Sequence, residues 1–388
     1  MSDIGMQDGK STESSVMARL MVMPRREFIG LGAAGLAAAA TGGQAKAQET
    51  QEETRSLEEL HQEALAEGGR LVIYAGGDTP QAEDWTKQAF LAAFPGMKLT
   101  TVVDYSKFHD VRLDNQFATN SLVPDVVQLQ TLQKYPRWKR EGRLLSYKPA
   151  GFSRVHDLFK DPDGAWTGIA VVGFSYMVGA GLAAGSFPAS PEEFADPKWR
   201  GKLASTIPHD DDAALYIYKL YTETYGWEWV GRMVDQQIGF ARGSHTPAIA
   251  VRSGEKPVGI AAVGSLVPNA QDSGRWVVAD GHPFMAWGHP AAILKDARNI
   301  ASAKLYLNWQ LSVARQEKAF NAWSVRTDVS PAGGLPPIWE YQYSNVAGFQ
   351  QFMKDRESVE RWRQTFALYF GEVSGEPSPG RLGLHPGA

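Results

Sequence analysis

Trp166-Thr-Gly-Ile-Ala-Val-Val-Gly-Phe-Ser-Tyr-Met-Val178 is the stretch on which the fold turns. It is a β-branched and aromatic run with glycines at Gly168 and Gly173, too short for a typical helix of this apolarity. Strand and helix patterns alternate upstream of it, and downstream the same alternation starts afresh. A strand shared by two similar halves is a hinge, and a hinge has a cleft beside it.

Upstream, Ser56-Leu-Glu-Glu59 is a capping box ahead of a helix that ends at Gly68-Gly69. Arg70–Ala75 reads as a buried strand, residues 80–94 as a helix, and Met97–Val103 as a second strand. A polar helix follows over 107–120, then a third strand over 124–129 and a helix over 131–140. This order argues for a parallel sheet with right-handed crossovers. Ligands bind such sheets outside the carboxyl ends of the strands. The loops 76–79, 104–106 and 128–131 are therefore the candidates. Gly76-Gly77-Asp78-Thr79 before a helix offers backbone N–H groups to an oxyanion, or is a plain turn capped by Asp78 or Thr79.

Downstream, strands are expected over 203–207, 238–241 and 257–263, with helices over 213–225, 227–237 and about 247–254. The second half thus has its own candidate loops at 207–212, 242–246 and 264–266. Short strands at 276–278 and 284–287 lead to helices over 301–311 and 356–370. A return crossing is expected within 279–289.

The chain of 388 residues is 43 % hydrophobic with 12 Trp, enough to bury more than one core. A net charge of -4 gives no electrostatic reason for a nucleic-acid or anionic-membrane partner. Without cysteine there are no disulfides, no thiol catalysis and no thiolate metal sites. No stretch reaches the roughly 18–20 apolar residues that span a bilayer. Pro24-Arg25-Arg26-Glu27-Phe28-Ile29 opens an Ala/Gly-rich run, Gly30–Gly43, and Ala45-Lys46-Ala47 supplies small residues for cleavage. These three parts form a secretory signal, and the paired arginines resemble the twin-arginine export signal of bacteria. Translation is expected to start at Met17, Met21 or Met23, and cleavage near Ala47.

Arg70-Leu-Val-Ile-Tyr-Ala75, Pro124-Asp-Val-Val127, Pro197-Lys-Trp-Arg-Gly-Lys202 and Arg252-Ser-Gly-Glu-Lys-Pro-Val-Gly-Ile260 stand in an order and spacing that is specific as a set. Over about residues 57–370 the chain resembles the periplasmic substrate-binding proteins of ABC transporters, in the class with ferric-iron, polyamine, thiamine and phosphonate binders. The resemblance implies an α/β, type 2 periplasmic-binding-protein fold, with two lobes of mostly parallel sheet joined by two crossing segments. Together with the export signal, the polar 48–55 stretch and the Pro/Gly-rich end, it divides the chain into a signal peptide (1–47), a disordered linker (48–55), lobe one (56–168 and 284–370), lobe two (169–283) and a flexible tail (371–388). It implies a monomer in the periplasm that closes over a small molecule and delivers it to permease subunits in the inner membrane. The family's ferric binders hold iron with two adjacent tyrosines after the strand that here ends at Val263, where this chain has Gly264-Ser265-Leu266 and no Tyr-Tyr pair anywhere. Their histidine after the first strand and glutamate after the third are replaced by Gly76-Gly77-Asp78 and Gln128-Leu129-Gln130. Small neutral groups suit an organic or oxyanionic molecule better than a bare cation.

The residues expected to bind it are Gly77, Asp78, Thr79, Tyr105, Gln130, Phe174, Tyr176, His209, Asp210, Ser244, His245, Thr246, Ser265 and Trp287. Phe174 and Tyr176 alternate with Ser175, so the two rings should share a face of the first crossing. His209-Asp210-Asp211-Asp212 is a helix N-terminus with acids matched to the macrodipole, a set of ligand contacts for a cationic amine, or a metal site. Ser244, His245 and Thr246 either cap a helix or grip an oxyanion. No cofactor, metal or catalytic residue is expected. The sequence has no Gly-x-Ser-x-Gly, His-Glu-x-x-His, P-loop or Gly-x-Gly-x-x-Gly motif. An exported hydrolase is the weakest alternative, and a ligand sensor feeding a receptor kinase is the other.

Overall fold

The computed structural model describes residues 50–183, 185–267, 272–318 and 322–375. The expected signal peptide and residues 376–388 of the tail lie outside them.

Lobe one starts with α1 (Leu57–Glu67), where the Ser56 hydroxyl accepts from Glu59 N–H and the Glu59 carboxylate accepts from Ser56 N–H. Gly68 ends it in the left-handed region at φ 119°. There follow β1 (Arg70–Gly76), α2 (Asp84–Ala93), β2 (Lys98–Asp104), α3 (Ser106–Thr119), β3 (Val126–Gln128) and α4 (Lys134–Arg140). β1 pairs in parallel with both β2 and β3, as the alternation requires. The opening stretch becomes β4 (Thr167–Gly179), within one residue of its sequence bounds. Lobe two comprises β5 (Leu203–Thr206), α5 (Asp212–Tyr225), α6 (Trp227–Val234), β6 (Gly239–Ala241), α7 (Thr246–Arg252), β7 (Val258–Val263) and β8 (Gly274–Val277). The chain returns along β9 (Met285–Ile293) into α8 (Ile300–Leu311) and α9 (Val313–Gln316), then ends in α10 (Gly348–Lys354) and α11 (Arg356–Phe370).

All strands belong to one curled, mixed sheet of order β2-β1-β3-β9-β4-β7-β5-β6, with β8 also on β4. The two crossings lie side by side: β4 and β9 pair antiparallel from Thr167↔Ala291 to Phe174↔Met285. β9 continues onto β3 of lobe one, while β4 continues onto β7 and β8 of lobe two. At the handover the β4–β7 register shifts between Ser175 and Met177, and buried Ala261 of β7 takes φ 54°. The bulge bends the sheet between lobes.

Two domain expectations need correction. Residues 348–370 do not belong to lobe one. Phe349, Phe352, Met353, Val359 and Phe366 are buried in one core with Tyr216, Tyr218, Trp229 and Val230 of α5 and α6, so the C-terminal helices cover lobe two. The described residues of the supposed linker are also anchored. The Glu52 carboxylate accepts from Gly151 N–H and Ser153 N–H, and Glu53 accepts from the Tyr147 hydroxyl. Among the described residues no helix is long and apolar enough to cross a membrane.

Candidate functional site

The carboxyl ends of β1, β2, β3, β5, β6 and β7 converge on a cavity of about 700 Å³ between the lobes. Ile169, Ala170, Val172 and Phe174 of β4 and Trp287 and His289 of β9 form its floor. The two crossings thus carry the base of the site, and the loops carry its walls.

Eight of the expected residues line this cavity: Gly77, Asp78, Tyr105, Gln130, Phe174, Asp210, Ser244 and Trp287. Gly77 is needed for packing, since a Cβ there would stand 2.7 Å from Val103 and 2.8 Å from Ala82. Its N–H donates to Asp104 O at 3.1 Å, so this amide is already used. Phe174 and Trp287 pack against each other with ring centroids 5.6 Å apart, at the handover between crossings.

Six expected residues are not in the cavity wall. Thr79 belongs to a turn over 79–83 that delays α2 to Asp84, and its carbonyl accepts from Ala82 N–H. Tyr176 lies in the core of lobe two, edge-on to Phe194, with its hydroxyl donating to Pro188 O at 3.0 Å. It shares the alternation of Phe174, but β4 has by then left the cleft. His209 sits beside Gly371 and Glu372, and burial lowers its pKa. His245 stands behind Gly243, with Nδ1 3.7 Å from Asp78. The Thr246 hydroxyl donates back to Gly243 O at 2.9 Å, closing a local turn. The Ser265 hydroxyl accepts from Val267 N–H. A Cβ at Gly264 would lie 2.4 Å from the Trp276 ring, so the position after β7 admits no larger side chain.

The walls meet across the mouth at Asp78 and at Asp210. The Asp78 carboxylate of lobe one accepts from the backbone N–H of Ser244 in lobe two at 2.7 Å and from its hydroxyl. Lys107 at the start of α3 donates to the carbonyl oxygen and carboxylate of Asp210 in lobe two. Arg242 takes the same carboxylate in two-pronged fashion, at 2.7 and 3.0 Å. Burial opposes ionisation of Asp210, but Arg242 and Lys107 outweigh it and hold its pKa below the usual value.

The neighbouring acids are likewise engaged. Asp211 caps α5 through Ala213 N–H and Ala214 N–H. Burial and nearby Asp78 push its pKa up to about 7. Asp212 pairs with Arg363 of α11. The acidic run therefore serves the helix N-terminus and internal ion pairs. Among the described residues no group of three or more His, Asp and Glu could hold a metal ion.

The positive groups are less occupied. Arg315 of α9 stacks on Trp85, 4.1 Å from the ring centroid, and on Trp309, 4.7 Å away. It donates to Gln310 and Thr86, and its charge is felt by Glu83, which is not within ion-pair distance. Burial lowers its pKa from the ordinary guanidinium value. Arg315 and exposed Lys318 both line the cavity, together with Glu83, Trp85, Thr86, Gln128, Thr131, Gln310 and Gln316. None of these was singled out from sequence except Gln128 and Thr131, which bound the third expected loop. Three buried polar atoms of the floor and wall have no hydrogen-bond partner among the described residues: Thr131 Oγ1, Trp287 Nε1 and His289 Nδ1. Burial lowers the His289 pKa to about 4, so its imidazole is neutral. A cavity with unpaired neutral groups below and a guanidinium at its side can orient a polar organic molecule.

No family model matches the sequence, and no curated protein matches it. Solved structures do. HitA from Pseudomonas aeruginosa, in an iron-bound crystal structure, is 15 % identical with TM-score 0.60, covering 76 % of this chain and 99 % of its own. The periplasmic binding protein AfuA from Actinobacillus pleuropneumoniae, with exogenous fructose-6-phosphate bound, is 17 % identical with TM-score 0.59, covering 79 % and 100 %. A substrate-binding protein of an ABC transporter from Agrobacterium tumefaciens is 13 % identical with TM-score 0.60, covering 76 % and 94 %. At such identities the likeness is one of fold, and the fold of this chain is the two-lobed type 2 fold of periplasmic binding proteins.

Proposed function

We propose that the chain is an exported solute receptor that closes its lobes over a small organic anion and presents it to a membrane permease. In this reading β4 and β9 are the hinge, Asp78, Lys107, Asp210 and Ser244 hold the mouth, and the cavity they enclose takes the solute. The mature chain acts as a monomer in the periplasm after twin-arginine export, and it carries out no catalysis. Closure needs a solute with more contacts in the closed state than in the open one, and a cavity touched by both lobes supplies them.

The observation that carries the anionic assignment is Arg315. Its guanidinium lines the cavity with no carboxylate at ion-pair distance among the described residues, while Asp210 and Asp212 are each taken up by arginine or lysine. A cationic amine would have to compete for Asp210 and Asp212, which are already paired, at the cost of orphaning buried charges. A bare ferric ion is disfavoured by the absence of a Tyr-Tyr pair and by Trp276 standing against Gly264. The cavity volume of about 700 Å³ also suits an organic molecule.

A thermal-shift screen tests this over sugar phosphates, di- and tricarboxylates, phosphonates, spermidine, thiamine and ferric citrate. An organic anion is expected to raise the melting temperature, and R315Q to abolish that rise. Stabilisation by spermidine with none by any anion would overturn the assignment. Reconstitution with the cognate permease separates uptake from a sensory role.

A further inference from the structure

Arg315, Gln310, Tyr306, Gln128 and Thr86 form a chain of hydrogen-bonding side chains at the lobe-one wall, with Glu83 beside its two ends. Arg315 Nε donates to Gln310 Oε1 at 3.2 Å, Gln310 Nε2 to the Tyr306 hydroxyl at 2.6 Å, and that hydroxyl to Gln128 Oε1 at 2.8 Å. On the other arm Arg315 Nη2 donates to Thr86 Oγ1 at 3.3 Å. Both arms end beside the same group, since Gln128 and Thr86 are each close enough to the Glu83 carboxyl to favour its ionised form. The chain thus runs from a cation to the side of an acid, and both line the cavity.

We infer that Glu83 is a specificity-determining residue: it meets the bound oxyanion as a neutral carboxyl, donating a hydrogen bond beside the Arg315 guanidinium, so that anion binding draws a proton onto Glu83 wherever it is ionised beforehand. This rests on the anion reading above. An oxyanion drawn to Arg315 enters the same cavity that Glu83 lines, within reach of the charge of both groups. An ionised Glu83 would repel it, whereas a protonated one turns the repulsion into a donor. The site then selects an anion that can share a proton with a carboxyl.

The surroundings of Glu83 contain little to keep it ionised. α9 contributes the Arg315 guanidinium, whose pull toward ionisation is outweighed by burial, α8 contributes Tyr306, and β3 contributes uncharged Gln128. From β9, His289 lies beside Gln128 and is neutral. Asp84 and Lys87 follow on its own helix. Burial, the dominant effect, pushes the Glu83 pKa up to about 7 against the weaker pull of Thr86, Gln128 and Arg315. Near neutral pH the proton is therefore at hand before an anion arrives.

The test is calorimetry on the intact mature chain with succinate, whose charge is nearly constant over the range used, and with glucose 6-phosphate. Wild-type affinity for succinate is expected to fall about twentyfold between pH 6.5 and pH 8.5, from the fraction of Glu83 left protonated. At pH 8.5, titrations in two buffers of different ionisation enthalpy should show nearly one proton taken up per succinate. E83Q, whose amide is a permanent donor, should vary less than about threefold over the same range and bind more tightly than wild type at pH 8.5. An E83Q protein that keeps the twentyfold fall overturns the inference. So does wild type binding succinate without proton uptake, a measurement that needs no variant. If neither probe binds wild type at pH 6.5, the anion reading falls with it. Binding that ignores pH removes only the role of Glu83.

Discussion

Lys107 of lobe one donates to Asp210 of lobe two twice, to the carbonyl oxygen at 2.6 Å and to the carboxylate at 2.9 Å. Arg242 holds the other face of that carboxylate from within lobe two. Asp210 is therefore kept charged and in place by its own lobe, and Lys107 reaches it from the other lobe.

K107M should therefore open the mouth without orphaning Asp210. Lys107 is 34 % exposed, so solvent screens the pair and its loss costs about 1 kcal/mol. The melting temperature should move little, while the radius of gyration in solution scattering rises and bound solute leaves several times faster. Raising the salt concentration should reproduce part of the effect in wild type. An unchanged scattering profile would show that Asp78 and Ser244 hold the mouth alone.

Ser244 and Thr246 separate cleanly in the structure although they are two residues apart. Ser244 meets Asp78 of the other lobe, whereas the Thr246 hydroxyl only closes its own turn. S244A should weaken solute binding by about 1–2 kcal/mol, as expected for a lost hydrogen bond to a charged group. T246A should leave affinity alone and lower stability slightly. Equal affinity losses in both variants would contradict this division.

Thr131 offers a test in which stability and affinity move in opposite directions. Its side chain is buried, 2 % exposed, and Oγ1 has no partner among the described residues. T131V replaces the hydroxyl by a methyl of similar shape and removes an unsatisfied polar group, which should stabilise the solute-free protein by about 1 kcal/mol. If that hydroxyl serves the solute, affinity falls in the same variant. A destabilised T131V, measured by chemical denaturation, would mean that Oγ1 is already satisfied.

The framework was legible where local pattern and burial agree. β4 and α11 fall within one residue of their expected limits, because a β-branched run between glycines and a helix between Asp355 and Gly371 are decided locally. The loops at the strand ends could be named for the same reason. Arg315 and Glu83 could not. Arg315 sits in a four-residue helix whose sequence carries no signal, and it reaches the cavity only because α8 folds back beside β1. Glu83 looked like an interior position of α2 until the turn over 79–83 placed it at the helix start. Tyr176 failed in the opposite direction: alternation put it on the face of Phe174, but the bulge after Ser175 carries the strand into the core of lobe two. The placement of the C-terminal helices on lobe two is not legible in the sequence, because amphipathic periodicity says that a face is buried and not against what.

Asp211 makes a prediction whose sign depends on pH. Its Oδ1 accepts from Ala213 N–H at 2.8 Å and Ala214 N–H at 2.9 Å, contacts that an asparagine oxygen can also make. Burial, with Asp78 next in weight, raises its pKa from 3.8 to about 7. The folded chain thus holds this proton more tightly than the unfolded chain. The resulting stability is fully present below pH 3.8 and is lost as pH rises through about 7. D211N keeps the cap without the ionisation, so its advantage over wild type should be small at pH 5 and grow by about 1–2 kcal/mol at pH 8, the half-buried setting reducing the full linkage value. Other titrating groups, Glu83 included, cancel in the difference between the two proteins. Denaturant midpoints of both at the two pH values give the answer. Because Asp78 belongs to lobe one and Asp211 to lobe two, the same substitution should also favour closure at pH 8, seen as a smaller radius of gyration. A D211N advantage that is equal at both pH values would place the Asp211 carboxyl in ordinary solvent contact and remove the acid pair from the mouth.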